Sequence, residues 1–147
     1  MKVLIADALS EKAVEILRSA ELTVDTKTGL KGVELQAIIS DYDALIVRSA
    51  TKATKDIIDK GTNLKIIGRA GIGVDNVDVT AATEKGIVVM NTPQGNALAA
   101  AEHSIALMFA AARKVAYADR TMKEGKWEKK SLMGMELYEK TLGVIGI

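Results

Sequence analysis

The sequence predicts an α/β fold: a flavodoxin-like parallel sheet with helices on both faces, followed by a second, helical segment. Two observations carry that expectation. Four short β-branched apolar runs recur along the first ninety or so residues, and the segments between them have the three-and-four spacing of amphipathic helices.

The runs are Val3-Leu4-Ile5-Ala6, Ala44-Leu45-Ile46-Val47, Leu64-Lys65-Ile66-Ile67 and Ile87-Val88-Val89-Met90, with a weaker fifth candidate at Leu22-Thr23-Val24. They are continuous rather than alternating, as strands covered on both faces should be. Between them lie Ala13, Ile16 and Leu17 after Ser10, then Val33, Leu35, Ile38 and Ile39, then Ile57 and Ile58 after Thr54. Ser10 and Thr54 suit helix N-caps. Connections of only a few residues favour right-handed βαβ crossovers, and five strands would give the flavodoxin-like order.

The single proline, Pro93, sits in a turn-forming stretch, Asn91-Thr92-Pro93-Gln94-Gly95-Asn96, and divides a lobe spanning 1–93 from a segment spanning 94–147. Beyond it Leu98, Ala101, Ile105, Met108, Ala112 and Val115 form a stripe that predicts one helix from Ala97 to about Lys123. At 1.5 Å per residue it would be roughly 40 Å long, enough to bridge two lobes or two subunits. Thr141 to Ile147 reads as a strand, and a chain is not expected to stop inside one.

Composition narrows the function. Twenty basic against nineteen acidic residues give a net charge of +1, so no overall field draws the chain to nucleic acid or to a membrane surface. No cysteine is present, which removes disulfides and thiolate ligands and agrees with a reducing cytoplasm; with a single histidine, a zinc site is not expected either. No apolar run approaches the roughly 18 residues of a membrane span or the core of a signal peptide. An anion would have to be held locally.

Two strand ends have the chemistry for that. Gly68-Arg69-Ala70-Gly71-Ile72-Gly73-Val74-Asp75-Asn76-Val77-Asp78 follows one strand, and glycines either side of one residue let backbone N–H groups face an anion at the edge where open α/β sheets bind ligands. The same residues also suit a plain strand-to-helix turn capped by Asp75 or Asn76. Val47-Arg48-Ser49-Ala50-Thr51 ends another strand with a charge and hydroxyls fit for carboxylate or phosphate, although an arginine paired with a nearby acid would look the same. Gly143-Val144-Ile145-Gly146-Ile147 resembles a strand entering the glycine turn of a dinucleotide fold, with Gly146 as its first glycine, or simply a buried strand with two glycines. His103 is set aside as a general base: early in the long helix beside Glu102, it better suits a structural hydrogen bond or a subunit contact. Lys123, Lys126, Lys129 and Lys130 surround Trp127 as a basic surface.

Taken together, Leu45 to Lys52, Gly68 to Asp78, Val89-Met90-Asn91-Thr92-Pro93, Ala101-Glu102-His103 and Gly125-Lys126-Trp127 resemble the D-2-hydroxyacid dehydrogenases, in particular the branch acting on a phosphorylated substrate. The resemblance implies a substrate-binding lobe, then the bridging helix and first strand of a Rossmann NAD-binding domain. It implies NAD-dependent oxidation of 3-phosphoglycerate, the entry to serine biosynthesis, by a cytoplasmic homo-oligomer, a dimer or tetramer formed through residues 97–140. Within it, Ser49 and the backbone of Gly71, Ile72, Gly73 and Val74 would hold the substrate carboxylate, and Arg48 and Lys129 the phosphate. Ile72 would stand near the nicotinamide, where some relatives carry threonine, and Gly146 would begin the NAD turn. The family's catalytic arginine, glutamate and histidine are expected beyond residue 147, so this stretch alone is expected to be inert. The alternatives are a glyoxylate, hydroxypyruvate or D-lactate type of enzyme, or a non-catalytic lobe that binds an anion or a protein.

Overall fold

The computed structural model describes residues 1–145. By its internal contacts the chain divides into two compact units, Met1–Asn96 and Ala97–Ile147. The first contains β1 (Lys2–Ile5), α1 (Glu11–Ser19), β2 (Thr23–Thr26), α2 (Gly32–Ile38), a 3-10 turn at Ile39–Asp41, β3 (Ala44–Val47), α3 (Lys55–Lys60), β4 (Ile66–Arg69), α4 (Val79–Glu84) and β5 (Val88–Met90).

All five strands run parallel in the order β2-β1-β3-β4-β5, and the weak candidate at Leu22-Thr23-Val24 is a genuine edge strand, with Val3 paired to Val24. On the other side of β1, Val3 pairs with Ala44 and Ile5 with Ile46. The sheet order therefore reverses between β1 and β3, the switch point at which a flavodoxin-like sheet opens a crevice.

Alternate residues of the strands serve different layers. Leu4, Leu45, Val47 and Ile67 join Leu35, Ile57 and Ile58 in one core beneath α2, α3 and α4. On the opposite face Leu17 of α1 borders an apolar groove of about 360 Å³ with Val3, Ile46, Ile66 and Gly68. Helices thus lie on both faces, as the sequence predicts. Ser10 and Thr54 occupy their expected N-cap positions, but neither side chain makes a capping hydrogen bond.

The second unit departs from expectation in three ways. The single helix expected over residues 97–123 is two, α5 (Ala97–Ala112) and α6 (Val115–Lys123). The break falls at Lys114, which adopts a left-handed conformation with φ 53°. At the break the carbonyl of Ala112 accepts from the N–H of Met135, distant in sequence, at 3.0 Å instead of continuing the helical ladder. Gly134 makes that approach possible, because a Cβ there would collide with the same carbonyl.

Nor is α5 apolar along one stripe only. Leu107 and Phe109, off the expected stripe, are about half exposed, as is Ile105 on it, and no residue of α5 is buried. Finally, residues 141–145 form no strand. A strand needs a ladder partner for its backbone groups, and no strand of the second unit is present among the described residues to provide one.

Candidate anion-binding site at the carboxyl edge of the sheet

Because β3 and β4 are adjacent and in register, Val47 pairing with Arg69, the loops that follow them leave the sheet side by side. The first, Arg48 to Thr54, leads to α3; the second, Ala70 to Asp78, leads to α4. A parallel bridge joins them further out, the N–H of Ala53 donating to the Asn76 carbonyl at 2.8 Å and that of Asp78 to the Ala53 carbonyl at 2.9 Å.

Asn76 fastens them more tightly. Its side chain is 8% exposed, and Nδ2 donates to the carbonyls of Arg48 and Thr51, each at 2.6 Å. Both partners are acceptors, which fixes which end of the amide is which. Its Oδ1 is buried without a hydrogen-bond partner among the described residues. Neither Asp75 nor Asn76 caps the following helix, as the turn reading expected; Asp78 does so, accepting from the Ala81 N–H at 2.9 Å.

Arg69, the last residue of β4, shapes the glycine turn from beneath. Its side chain is only 13% exposed; Nη1 pairs with Asp75 Oδ1 at 3.0 Å and donates to the Gly73 carbonyl, while Nε donates to the Arg48 carbonyl at 3.3 Å. Gly73 lets these groups close in: a Cβ there would lie 3.1 Å from the Arg69 guanidinium and 3.0 Å from the Asp75 carboxylate, so their ion pair would have to shift by a few tenths of an ångström. From the other side, the residues after β5 tie the turn down: Thr92 N–H donates to the Gly71 carbonyl at 2.9 Å and Asn91 Nδ2 to the Ile72 carbonyl at 2.6 Å.

The result is electrostatically one-sided. The carbonyls of Gly71, Ile72 and Gly73 are all taken, while the N–H groups of Ile72, Gly73 and Val74 have no acceptor among the described residues. The amide and hydroxyl of Ser49 have none either. Unpaired donors on a concave backbone attract an anion.

Arg48 adds charge to this edge. Its guanidinium is exposed, makes no ion pair among the described residues and donates once, from Nη1 to the Ala8 carbonyl at 3.1 Å. The neighbouring acid that an ordinary surface arginine would have is not there. Asp7 instead receives the Arg48 backbone, its Oδ2 accepting that N–H at 2.6 Å. Burial pushes the Asp7 carboxyl up, but the N–H of Arg48, the hydroxyl of Thr51 and the N–H groups of Thr51 and Ala50 together hold it below its usual value of 3.8.

Of the residues singled out from sequence, then, Arg48, Ser49, Gly71, Ile72, Gly73 and Val74 stand on two adjoining loops. Lys129 is exposed in the second unit, beside Glu128, whose carboxylate accepts from the Tyr117 hydroxyl and from Ser131 Oγ. Gly146 lies outside the described residues. His103 is exposed on α5 with no hydrogen-bond partner among the described residues. Sequence reasoning missed Asp7, and it missed Asn76 and Asn91 as struts; the signal for Asp7 was its place at the end of the first apolar run, which gains meaning only once β1 is known to neighbour β3. No cluster of potential metal ligands exists among the described residues, and no described helix is long and apolar enough to cross a membrane.

The fold defines an α/β lobe with a candidate anion site at the carboxyl edge of its sheet, and comparison with known proteins gives its lineage. Residues 3–138 match the family described as D-isomer specific 2-hydroxyacid dehydrogenase, catalytic domain. The chain belongs to that family. It is 55% identical to the D-3-phosphoglycerate dehydrogenase of Archaeoglobus fulgidus over 147 residues, all of this chain and 28% of that protein. It is 51% identical to the human D-3-phosphoglycerate dehydrogenase over 146 residues, 99% of this chain and 27% of the relative. Among solved structures it resembles the TT0316 protein of Thermus thermophilus, with a TM-score of 0.83 and 32% identity over 93% of this chain and 46% of that one. It also resembles a 3-phosphoglycerate dehydrogenase of Entamoeba histolytica solved with NAD+, with a TM-score of 0.70 and 39% identity over 78% of this chain and 40% of the other. The chain thus spans little more than a quarter of the length of the curated relatives it matches.

Proposed function

We propose that this chain supplies the substrate-binding lobe, about residues 1–93, and the start of the NAD-binding domain, residues 94–147, of an NAD-dependent D-3-phosphoglycerate dehydrogenase. The reaction would be oxidation of 3-phosphoglycerate to 3-phosphohydroxypyruvate. The observation that carries this reading is the pair of loops in which a cation without an acidic partner, Arg48, adjoins a turn whose carbonyls are tied and whose amides are not.

A phosphorylated hydroxyacid has an anion at each end, and the two loops offer one kind of donor for each. Ser49 and the N–H groups of Ile72, Gly73 and Val74 would take the carboxylate, which suits several directed single donors. Arg48 would take the phosphate, with Lys129 as a further cation from a second subunit. Held at both ends, the substrate presents its hydroxyl-bearing carbon in one orientation, and restricting orientation is a large part of what such a lobe contributes to rate. NAD, when bound, would supply the hydride acceptor; the family resemblance assigns Gly146 to its binding and sets Ile72, 45% exposed, near the nicotinamide. The proton must go to a base, and the developing carbonyl needs a cation; the family resemblance puts the histidine, glutamate and arginine for this in the further length that the relatives possess. Homodimer formation through residues 97–140 fits the exposed apolar residues of α5.

The test compares NADH formation from 3-phosphoglycerate by the complete enzyme and by this 147-residue chain. Turnover is expected only in the former. Arg48→Ala should raise the KM for 3-phosphoglycerate at least about tenfold with kcat little changed, the signature of lost uniform binding. An equal rise for an unphosphorylated 2-hydroxyacid would move Arg48 away from the phosphate and the enzyme toward the glyoxylate, hydroxypyruvate or D-lactate type.

A further inference from the structure

We propose that Asp7 is a positioning residue that sets the aim of Arg48 and the shape of the Arg48–Thr51 loop, and so sets affinity for the substrate anion. The inference rests on the reading of this edge as the substrate site.

Asp7 follows β1 at the switch point, and Ala6 still donates to the Ile46 carbonyl at 2.9 Å, so the carboxylate is carried to the mouth of the crevice on the sheet itself. It is 7% exposed. Oδ2 accepts the N–H of Arg48 at 2.6 Å and that of Thr51 at 3.1 Å, and Oδ1 accepts the Thr51 hydroxyl at 2.8 Å. One carboxylate therefore gathers both ends of a four-residue loop.

No lysine or arginine pairs with it among the described residues. A buried carboxylate balanced only by loop dipoles is a costly way to occupy space, since burying a charge is unfavourable unless every lone pair is answered. What the arrangement provides is geometry. All its partners donate to it. An asparagine could keep its oxygen toward the two N–H groups only by turning its NH2 to the Thr51 hydroxyl, which must then rotate to accept. It would hold all three with a neutral, weaker acceptor, while an apolar residue would leave those donors unpaired.

The next residue makes the grip two-handed. Ala8 accepts the Arg48 guanidinium at 3.1 Å while Asp7 holds the Arg48 backbone, so one dipeptide fixes that arginine at its root and at its tip. From behind, the Arg48 carbonyl is held by Asn76 Nδ2 and Arg69 Nε. The arginine expected to meet the phosphate is thus anchored through β1, a strand contributing no group to the substrate.

Two measurements test this, one needing no substrate. In the 147-residue chain, amide hydrogen exchange at Arg48 and Thr51 should be slow and should speed up at least about tenfold in Asp7→Asn, while exchange at Leu45 and Ile67 stays unchanged. In the complete enzyme, Asp7→Asn should raise the KM for 3-phosphoglycerate about tenfold, with kcat within about twofold and the KM for NAD unchanged. Thr51→Val should shift both readouts the same way by less, and Thr51→Ser, which keeps the hydroxyl, should recover most of the change; this pair decides the matter if Asp7→Asn does not fold. Lower melting temperatures with unaltered KM and unaltered loop exchange would reduce Asp7 to a structural anchor and overturn the proposal. Loop exchange that responds as expected in an enzyme that turns over no 2-hydroxyacid would instead overturn the reading of the substrate site.

Discussion

The two units of this chain invest their apolar residues differently. In Met1–Asn96 the strands and α2 to α4 close around Leu4, Leu35, Leu45, Ile57, Ile58 and Ile67, all but fully buried. In Ala97–Ile147 the longest helix, α5, buries nothing, and Thr121 is the one buried residue among those described. The first unit is a finished core with a candidate site at its edge; the second leaves the apolar surface of its longest helix exposed. Stability and binding should therefore respond to substitution in separate places.

The largest effect tests that contrast directly. Ile67→Ala, at 0% exposure in the middle of the sheet, should cost about 3 kcal/mol, the transfer term plus an unfilled cavity. Phe109→Ala, at 51% exposure, should cost about 0.5 kcal/mol or less in a dilute sample of this chain. Urea unfolding of both variants gives the comparison. A loss at Phe109 as large as at Ile67, growing with protein concentration, would mean that α5 is already covered by another copy.

The next effect separates the anchor of the site from the core. Asp7 has a folded-state pKa below its ordinary 3.8, because the loop donors outweigh burial. Its contribution is thus fully present above the unfolded value of about 3.9 and lost as pH falls through the folded value. The stability difference between wild type and Asp7→Asn should be steady at about 2 kcal/mol from pH 7 to about 5 and shrink below about pH 4, since hydrogen bonds to a charged acceptor are worth that order. Taking the difference cancels Asp25, Asp43 and Glu128, whose carboxyls are likewise held low by hydrogen bonds. A difference that stays constant down to about pH 3 would show that Asp7 keeps its proton state on unfolding.

These contrasts also explain what could be read from the sequence. The strands were legible because a covered parallel strand is a continuous apolar run, and even the edge strand β2 left a trace in Leu22-Thr23-Val24. The glycine turn and Arg48-Ser49 were legible because ligand chemistry in such sheets collects at strand ends. Asp7 was not, since its role depends on β1 lying beside β3, a fact of topology that no local pattern contains. The division of α5 from α6 was hidden for a similar reason. No glycine or proline marks Lys114; the ladder is interrupted by Met135, which comes near only because Gly134 lacks a side chain.

That interruption yields the smallest prediction. Lys114 pays for the corner with a left-handed backbone, φ 53°, which a β-carbon disfavours by about 1 kcal/mol. Lys114→Gly removes that strain but also removes the Nζ hydrogen bond to the Ser131 carbonyl at 2.9 Å and makes the unfolded chain more flexible. The terms nearly cancel, so a gain of only a few tenths of a kcal/mol is expected in the melting of the helical unit, with nothing changed in the sheet. Gly134→Ala should act in the opposite direction and further, because its methyl would meet the Ala112 carbonyl that accepts from Met135. If Lys114→Gly instead destabilised the helices while Gly134→Ala left them untouched, the corner would be set by the lysine's own contacts, and α5 and α6 would tend to merge into the single long helix that their apolar spacing suggests.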